Sequence, residues 1–279
     1  MRNNQARLAA QNREETQTVT NMTTKFVSPT EIVTLPSQGL FYPKTSSLYG
    51  RKSVEIKHMT TAEEDILSNS SYIKNDVVLQ KLLQSVLLDR SINVNDFILC
   101  DFEAVLTAVR ITGYGPNYST NITCPSCEDT KEHTFSAEKF TEVASFPEDT
   151  DVISEDGTFI VNVYNHKTDT DTQVECHILT TGDLKKLRER RQTKVDRKLP
   201  ETNKSDELCS IIVSVDGSRR EDDITTFVAT SRPLDTRFIR AKYRELEPKM
   251  NNKAPFKCKN CEHSQELEVP MTVKFFWPY

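Results

Sequence analysis

Four of the seven cysteines fall in two Cys-x-x-Cys turns, Cys124-Pro-Ser-Cys127 and Cys258-Lys-Asn-Cys261. A turn of this kind sets two thiolates on one side of a tight loop. Two such turns complete the tetrahedral sulfur shell that Zn²⁺ favours. Each pair has strand-like flanks: Tyr118-Ser-Thr-Asn-Ile-Thr and His133-Thr-Phe135 around the first, Pro-Phe-Lys and Leu267-Glu-Val269 around the second. That is the outline of a zinc ribbon. From 128 to 257, 130 residues separate the pairs, against about 15 to 20 in a contiguous ribbon. The spacing therefore predicts a ribbon split by an inserted region, with Cys124, Cys127, Cys258 and Cys261 as ligands of one structural Zn²⁺. Four cysteines fill the shell and leave no position for water or substrate, so the ion is expected to hold structure rather than catalyse. A redox role would call for a thioredoxin-like βαβ unit beside the pair, which the sequence lacks.

The other chemically capable residues are weaker candidates. Cys100, Cys176 and Cys209 sit singly among apolar neighbours, where a free cysteine behaves as a small core residue. His177 follows Cys176 directly, and adjacent strand residues point to opposite faces, so the two cannot act as nucleophile and base. The acidic stretches around Asp149, Asp151 and Asp156, and around Asp169 and Asp171, lack the ligand order of a calcium loop. HExxH, GxSxG and Walker patterns are missing, and Gly113-Tyr-Gly115 followed by Pro116 fails as a dinucleotide fingerprint. Nothing here supports an enzyme.

Two segments are candidates for partner contact. Residues 185–198 carry eight bases and two acids, net +6 in a chain of net charge −5. Lys185, Lys186, Arg188, Arg190 and Arg191 are its candidate contacts, for an acidic protein or for phosphates. The run has no aromatic for stacking on bases, so nucleic-acid binding is the alternative rather than the leading reading. Phe275, Phe276, Trp277 and Tyr279 lie within five residues. Such aromatics dock either on this chain or on another: docking on this chain is slightly favoured, and an interface is the sharper expectation.

These residues must be positioned by an α+β fold. Leu35 to Pro43 sets apolar residues between turn formers, and Ser53-Val-Glu-Ile-Lys-His58 alternates as a strand, which gives a β-loop-β opening. Thr60 and Thr61 stand at capping-box spacing from Glu63 and Glu64 and mark a helix to about Asn69. Asp76 is placed to cap a helix carrying Leu79, Leu82, Leu83, Val86 and Leu87. A third helix, with Phe102, Val105, Leu106 and Val109, is expected to stop at Gly113. Thr158–Tyr164 and Gln173–Leu179 read as a hairpin. A charged helix opens at Gly182-Asp183. Leu208, Ile211, Ile212 and Val215 fit one helical face, and Asp235 is placed to cap a helix with Phe238, Ile239, Tyr243 and Leu246. The expected organisation is a flexible N-terminal arm over 1–28, a β-opening plus helical region over 29–115, a split zinc ribbon with an aromatic C-terminal tail over 116–136 and 255–279, and an inserted α+β region over 137–254.

Composition sets outer limits. With 28% charged and 36% apolar residues the chain is poorer in core-forming side chains than an average globular protein. Even the richest apolar stretch, Val77 to Leu88, is interrupted by Lys81 and Gln84, so no membrane span is expected. The first thirty residues lack the apolar centre of a secretory signal, which predicts a reducing cytoplasm and cysteines used as thiols or metal ligands.

In order, Leu35-Pro-Ser-Gln-Gly-Leu-Phe-Tyr-Pro43, Val54-Glu-Ile-Lys-His-Met-Thr60, Glu63-Glu-Asp-Ile-Leu67, Gly113-Tyr-Gly115, the two Cys-x-x-Cys turns and Phe275-Phe-Trp-Pro278 resemble the T4-like bacteriophage baseplate hub family. The resemblance runs from about residue 34 onward and leaves the first 28 residues and the basic run outside it. It implies a non-enzymatic component or assembly factor of the central hub of a contractile-tail baseplate. Such a protein assembles in the host cytoplasm, resides in the virion and contacts other tail and baseplate hub proteins, in multiple copies where the assembly is symmetric.

Overall fold

The computed structural model describes residues 28–165, 170–269 and 273–276. The arm over 1–28 lies outside the described residues apart from Ser28, as do Asp169, Trp277 and Tyr279. The fold is α+β, built from small antiparallel sheets and helices around one main apolar core, with a small second cluster at the cysteine turns.

Strands β1 (Thr30–Thr34) and β2 (Ser53–Lys57) pair antiparallel with Val33 opposite Val54, and the loop between them folds inward. Its anchor is Asp101, fully buried, which accepts from the Ser37 amide at 2.9 Å, Ser37 Oγ at 2.5 Å and Tyr42 Oη at 2.6 Å. Burial pushes the Asp101 carboxyl up and these donors act against that push. A turn made of Leu35 to Pro43 is thereby fixed to a helix that starts more than fifty residues later. Gly39 has φ +78°, and a Cβ there would lie 2.4 Å from the Arg51 amide nitrogen, so the turn accepts only glycine without rearrangement.

Helix α1 (Thr61–Ser68) starts at the expected capping box: Thr60 accepts from the amide three residues on, and Glu63 accepts from the Thr60 amide at 3.0 Å. A short helix, α2 (Ser70–Lys74), follows with Asn69 capping it. Helix α3 (Val78–Val86) buries Val78, Leu82, Leu83 and Val86, but Val77 is its N-cap. Asp76 does not cap it; the residue has φ +52° in the connecting turn and its carboxylate pairs with Arg188. Helix α4 (Leu99–Tyr114) is buried over most of its circumference and runs through Gly113, with Gly115 as its C-cap. The expected stop is two residues early because Gly113 serves packing: a Cβ there would meet Met59 Sδ at 2.9 Å.

Gly115 (φ +77°) turns the chain into hairpin β3 (Asn117–Thr123) and β4 (Thr130–Ser136). After a 3₁₀ turn at Ala137–Thr141, strand β5 (Val143–Ser145) pairs with β9 (Lys249–Met250), and the Asn251 amide donates to Glu142 O at 2.8 Å. These contacts tie together the two ends of the intervening stretch. Within it, β6 (Thr158–Asn165), β7 (Thr170–His177) and β8 (Ile212–Val215) form a sheet in the order β6-β7-β8. The basic run lies on α5 (Thr181–Asp196), capped by Thr180 and Asp183.

Two expectations for this stretch are corrected. The face drawn through Leu208, Ile211, Ile212 and Val215 is half helix: α6 (Asn203–Ile211) ends at Ile211, and Ile212-Val-Ser-Val215 becomes a strand against β7. Three β-branched residues in four suit a pleated edge better than another helical turn. After α7 (Glu221–Thr230), helix α8 (Pro233–Leu246) has Arg232 as N-cap and Pro233 in its first turn; Asp235 binds Arg232 at 2.8 and 3.0 Å instead of capping. Ile239, Tyr243 and Leu246 are buried as expected, but Phe238 is 59% exposed. Hairpin β10 (Lys253–Lys257) and β11 (Ser264–Glu268) and the short helix α9 (Val273–Phe276) complete the described fold.

Candidate metal centre

The two Cys-x-x-Cys turns are the tips of two equivalent hairpins. Thr123 pairs with Thr130 and Lys257 with Ser264, so each tip spans six residues. The Cys124 amide donates to Asp129 O at 2.9 Å, and the Cys258 amide donates to His263 O at 2.8 Å. The residue after each second cysteine is left-handed, Glu128 at φ +57° and Glu262 at φ +55°. Two unrelated stretches of sequence thus form the same turn, which folds each pair of thiols to one side.

The tips meet. Cys124 Sγ lies 3.7 Å from Cys261 Sγ, and Cys127 Sγ lies 3.7 Å from Cys258 Sγ. All four sulfurs are within 4.8 Å of one another. A disulfide would need about 2.05 Å, and all seven cysteines are free. An ion bound at about 2.3 Å by four tetrahedral sulfurs requires edges of about 3.8 Å. The set therefore has the shape and donor type to hold a metal ion. Cys124 and Cys258 are buried and Cys261 is exposed. The Asn260 amide and side chain donate toward Cys258 Sγ and Cys127 Sγ at 3.4 and 3.6 Å. Backbone amides of Cys261 and Asn260 lower the Cys258 thiol to about 6, while, against the His263 amide, the neighbouring Cys127, Cys124 and Cys258 sulfurs raise that of Cys261 to about 11.

Local packing holds the hairpins together. Phe256 is buried in one cluster with Cys124 and Cys258, and the His133 ring lies 4.6 Å from it, tilted by 59°. His263 reaches Gln265 at 3.3 Å. Neither histidine joins the sulfur cluster, so the group that could hold a metal ion is cysteine only.

The remaining cysteines lie apart from this cluster. Burial raises the thiols of Cys100 and Cys209 and pushes Cys176 up to about 12. His177 Nε2 meets Ser210 O at 2.8 Å, and Cys176 is buried on the opposite face.

The basic candidates are largely engaged within the chain. Lys185 meets Glu189 at 4.0 Å, Lys186 meets Asp183 at 3.6 Å, Arg188 pairs with Asp76, and Arg190 meets Glu221 at 3.3 Å. Arg191 is half-buried, with its Nε unpartnered. Of the two readings for the terminal aromatics, Phe275 and Phe276 take docking on this chain and leave the partner surface: they are 1% and 0% exposed. The Phe275 ring packs at 5.2 Å from Tyr118 and 6.2 Å from Phe140. Two rings that find a core lose more water-exposed area there than a surface would allow.

Sequence reasoning missed Arg110. This residue, 1% exposed, donates through Nε to Phe275 O at 3.0 Å and through its two other nitrogens to Gly115 O at 2.8 Å and Asn117 O at 3.0 Å. It joins α4, the start of β3 and α9. The available signal was a lone arginine among Val105, Leu106, Ala108, Val109 and Ile111 in the C-terminal half of α4.

Residues 30–277 match a family model described as T4 bacteriophage base plate protein. Neither the curated proteins nor the solved structures give a match.

Proposed function

The chain belongs to the T4 bacteriophage base plate protein family, and from that premise we propose that it is a structural or assembly component of the central baseplate hub, stapled by one structural Zn²⁺. Family membership gives the coarser part directly: a phage tail baseplate protein that works through contacts with other tail proteins. Among the described residues no helix is long and apolar enough to cross a membrane.

The observation that carries the zinc reading is the pair of 3.7 Å sulfur distances across two hairpins of matching geometry. Bound there, Zn²⁺ would supply a charge-neutralising cross-link between thiolates, with no open position for a substrate. Cys124 and Cys127 would hold it from β3–β4, Cys258 and Cys261 from β10–β11. In this reading 116–136 and 255–279 form one ribbon, 29–115 the helical support, and 137–254 an insert whose ends are tied by β5 and β9. Lys186, Arg190, Arg191, Trp277 and Tyr279 remain the proposed contacts to partners. The nucleic-acid alternative gains no specific support, since the basic run carries no aromatic residue on which a base could stack.

Two measurements test the reading. Metal analysis of the purified chain should give one zinc per molecule, and Cys124→Ser should lose it. A metal-free chain whose melting is unmoved by a chelator refutes the staple. Affinity purification from infected cells should recover hub proteins, and recovery of peripheral baseplate proteins alone would place the chain outside the hub.

A further inference from the structure

The cations of α5 fall into two sets. Arg188 and Lys194 are held by Asp76 and Asp206, the latter with both oxygens at 2.7 Å, and they fasten the helix to the rest of the fold. Lys186, Arg190, Arg197 and Leu199 line one open groove of about 450 Å³, which the ion-paired Lys194 also borders, so Lys194 belongs to both sets. Positions 186, 190 and 197 repeat at helical spacing, a basic stripe about 16 Å long. The ion pairs of Lys186 and Arg190 are exposed and exchange readily, and Arg197 has no ion pair among the described residues. Leu199 is 51% exposed. The run from 185 to 198 is net +6 in a chain of net charge −5, so the groove is a positive strip on an otherwise negative molecule.

We propose that this groove docks an acidic segment of another tail protein, with carboxylates along Lys186, Arg190 and Arg197 and an apolar side chain against Leu199. The inference rests on the baseplate reading and names the chemistry of one contact within it. Charge complementarity selects an acidic partner. Protein is favoured over nucleic acid for three reasons. The lining has no aromatic for base stacking, and it ends in an apolar residue that gives a sugar-phosphate backbone nothing. It also includes Glu189, which a peptide can meet with an uncharged residue and an unbroken row of phosphates cannot.

The test uses the full chain and three labelled probes: a peptide of mixed Glu and Leu, an all-Glu peptide and a DNA duplex. Wild type should bind the Glu/Leu peptide most tightly, with affinity that falls as salt rises. Arg197→Glu is exposed and unpaired, so its melting should match wild type while its affinity for both peptides drops about tenfold. Leu199→Ser should erase the preference for the leucine-bearing peptide. Unchanged binding by Arg197→Glu, or tighter binding of DNA than of peptide, overturns the proposal. Complementation of a tail-assembly extract separates the two levels. If Arg197→Glu enters baseplates as well as wild type, the groove is refuted and the baseplate reading stands. If wild type itself never enters, the baseplate reading fails and the groove loses its partner.

Discussion

Replacing Arg110 with alanine should be among the most destabilising single changes available in this fold. The side chain is buried and gives hydrogen bonds to the carbonyls of Phe275, Gly115 and Asn117 at 3.0, 2.8 and 3.0 Å. Its guanidinium also lies 5.1 Å from the Tyr114 ring centre and 6.0 Å from that of Phe275. Among the described residues it has no ion pair, so the main chain and two aromatic faces do all the solvation. Alanine leaves three carbonyls without their donor, and each buried group left unmet costs about 1 to 3 kcal/mol. Water entering the void recovers part of this, which sets the expected loss at about 4 kcal/mol, a large share of the about 5 to 15 kcal/mol typical of a domain. Arg110→Lys keeps the charge but cannot span three acceptors, so about 2 kcal/mol is expected. Urea melts give the global figure, and amide hydrogen exchange gives the location: protection should fall first around Gly115 to Asn117 and at Phe275, before α1 or α3. A loss below about 1 kcal/mol for Arg110→Ala, or exchange that rises evenly through the chain, would refute the idea that this guanidinium seals α4 against α9.

Three further perturbations have defined outcomes. Glu63 is buried, and although burial opposes its charge, bonds from Lys57 (2.8 Å), Ser85 (2.5 Å) and Thr60 hold its carboxyl at about 2, below the ordinary 4.5. Its stabilisation is therefore present above 4.5 and lost as pH falls toward 2; Glu63→Gln should flatten acid melting curves in that window and cost about 2 kcal/mol at pH 7. Glu103 shows the opposite sign: burial first, then Glu247 and Glu268, raise it to about 7, so stability is highest below 4.5 and declines as pH rises through 7. Glu103→Gln should match wild type at about pH 4 and exceed it by about 3 kcal/mol at about pH 8, and equal melting temperatures at the higher pH would contradict the assigned environment. Gly39→Ala should lose at least about 2 kcal/mol in thermal melts, because the turn has φ +78° and no room for a Cβ.

What could be read from sequence was what is decided locally. The cysteine turns, the Thr60–Glu63 capping box and the β6–β7 hairpin each depend on residues a few positions apart, and each forms as their spacing implies. Errors arose where a local signal had two solutions. From Leu208 onward the i, i+3, i+4 pattern fits a helix, yet pairing with Val174 and Glu175 on β7 draws the second half into a strand. Asp76 and Asp235 have cap-like positions, but arginines at 188 and 232 took their carboxylates. The least legible features are long-range. Asp101 collects donors from Ser37 and Tyr42 about sixty residues earlier, and Arg110 bonds a carbonyl 165 residues later. Main-chain acceptors have no sequence signature, so such a site shows only as a polar residue out of place in an apolar helix.

The distance between the two cysteine turns also has a consequence in time. A ribosome adding about 5 to 20 residues per second completes the second turn about 7 to 26 seconds after the first, since 130 residues lie between them. Through that interval Cys124 and Cys127 offer only half a shell, and Arg110 waits longer still for Phe275. The contacts that seal the amino-terminal helices and the cysteine cluster therefore form only after that interval, when Cys258, Cys261 and Phe275 have been added.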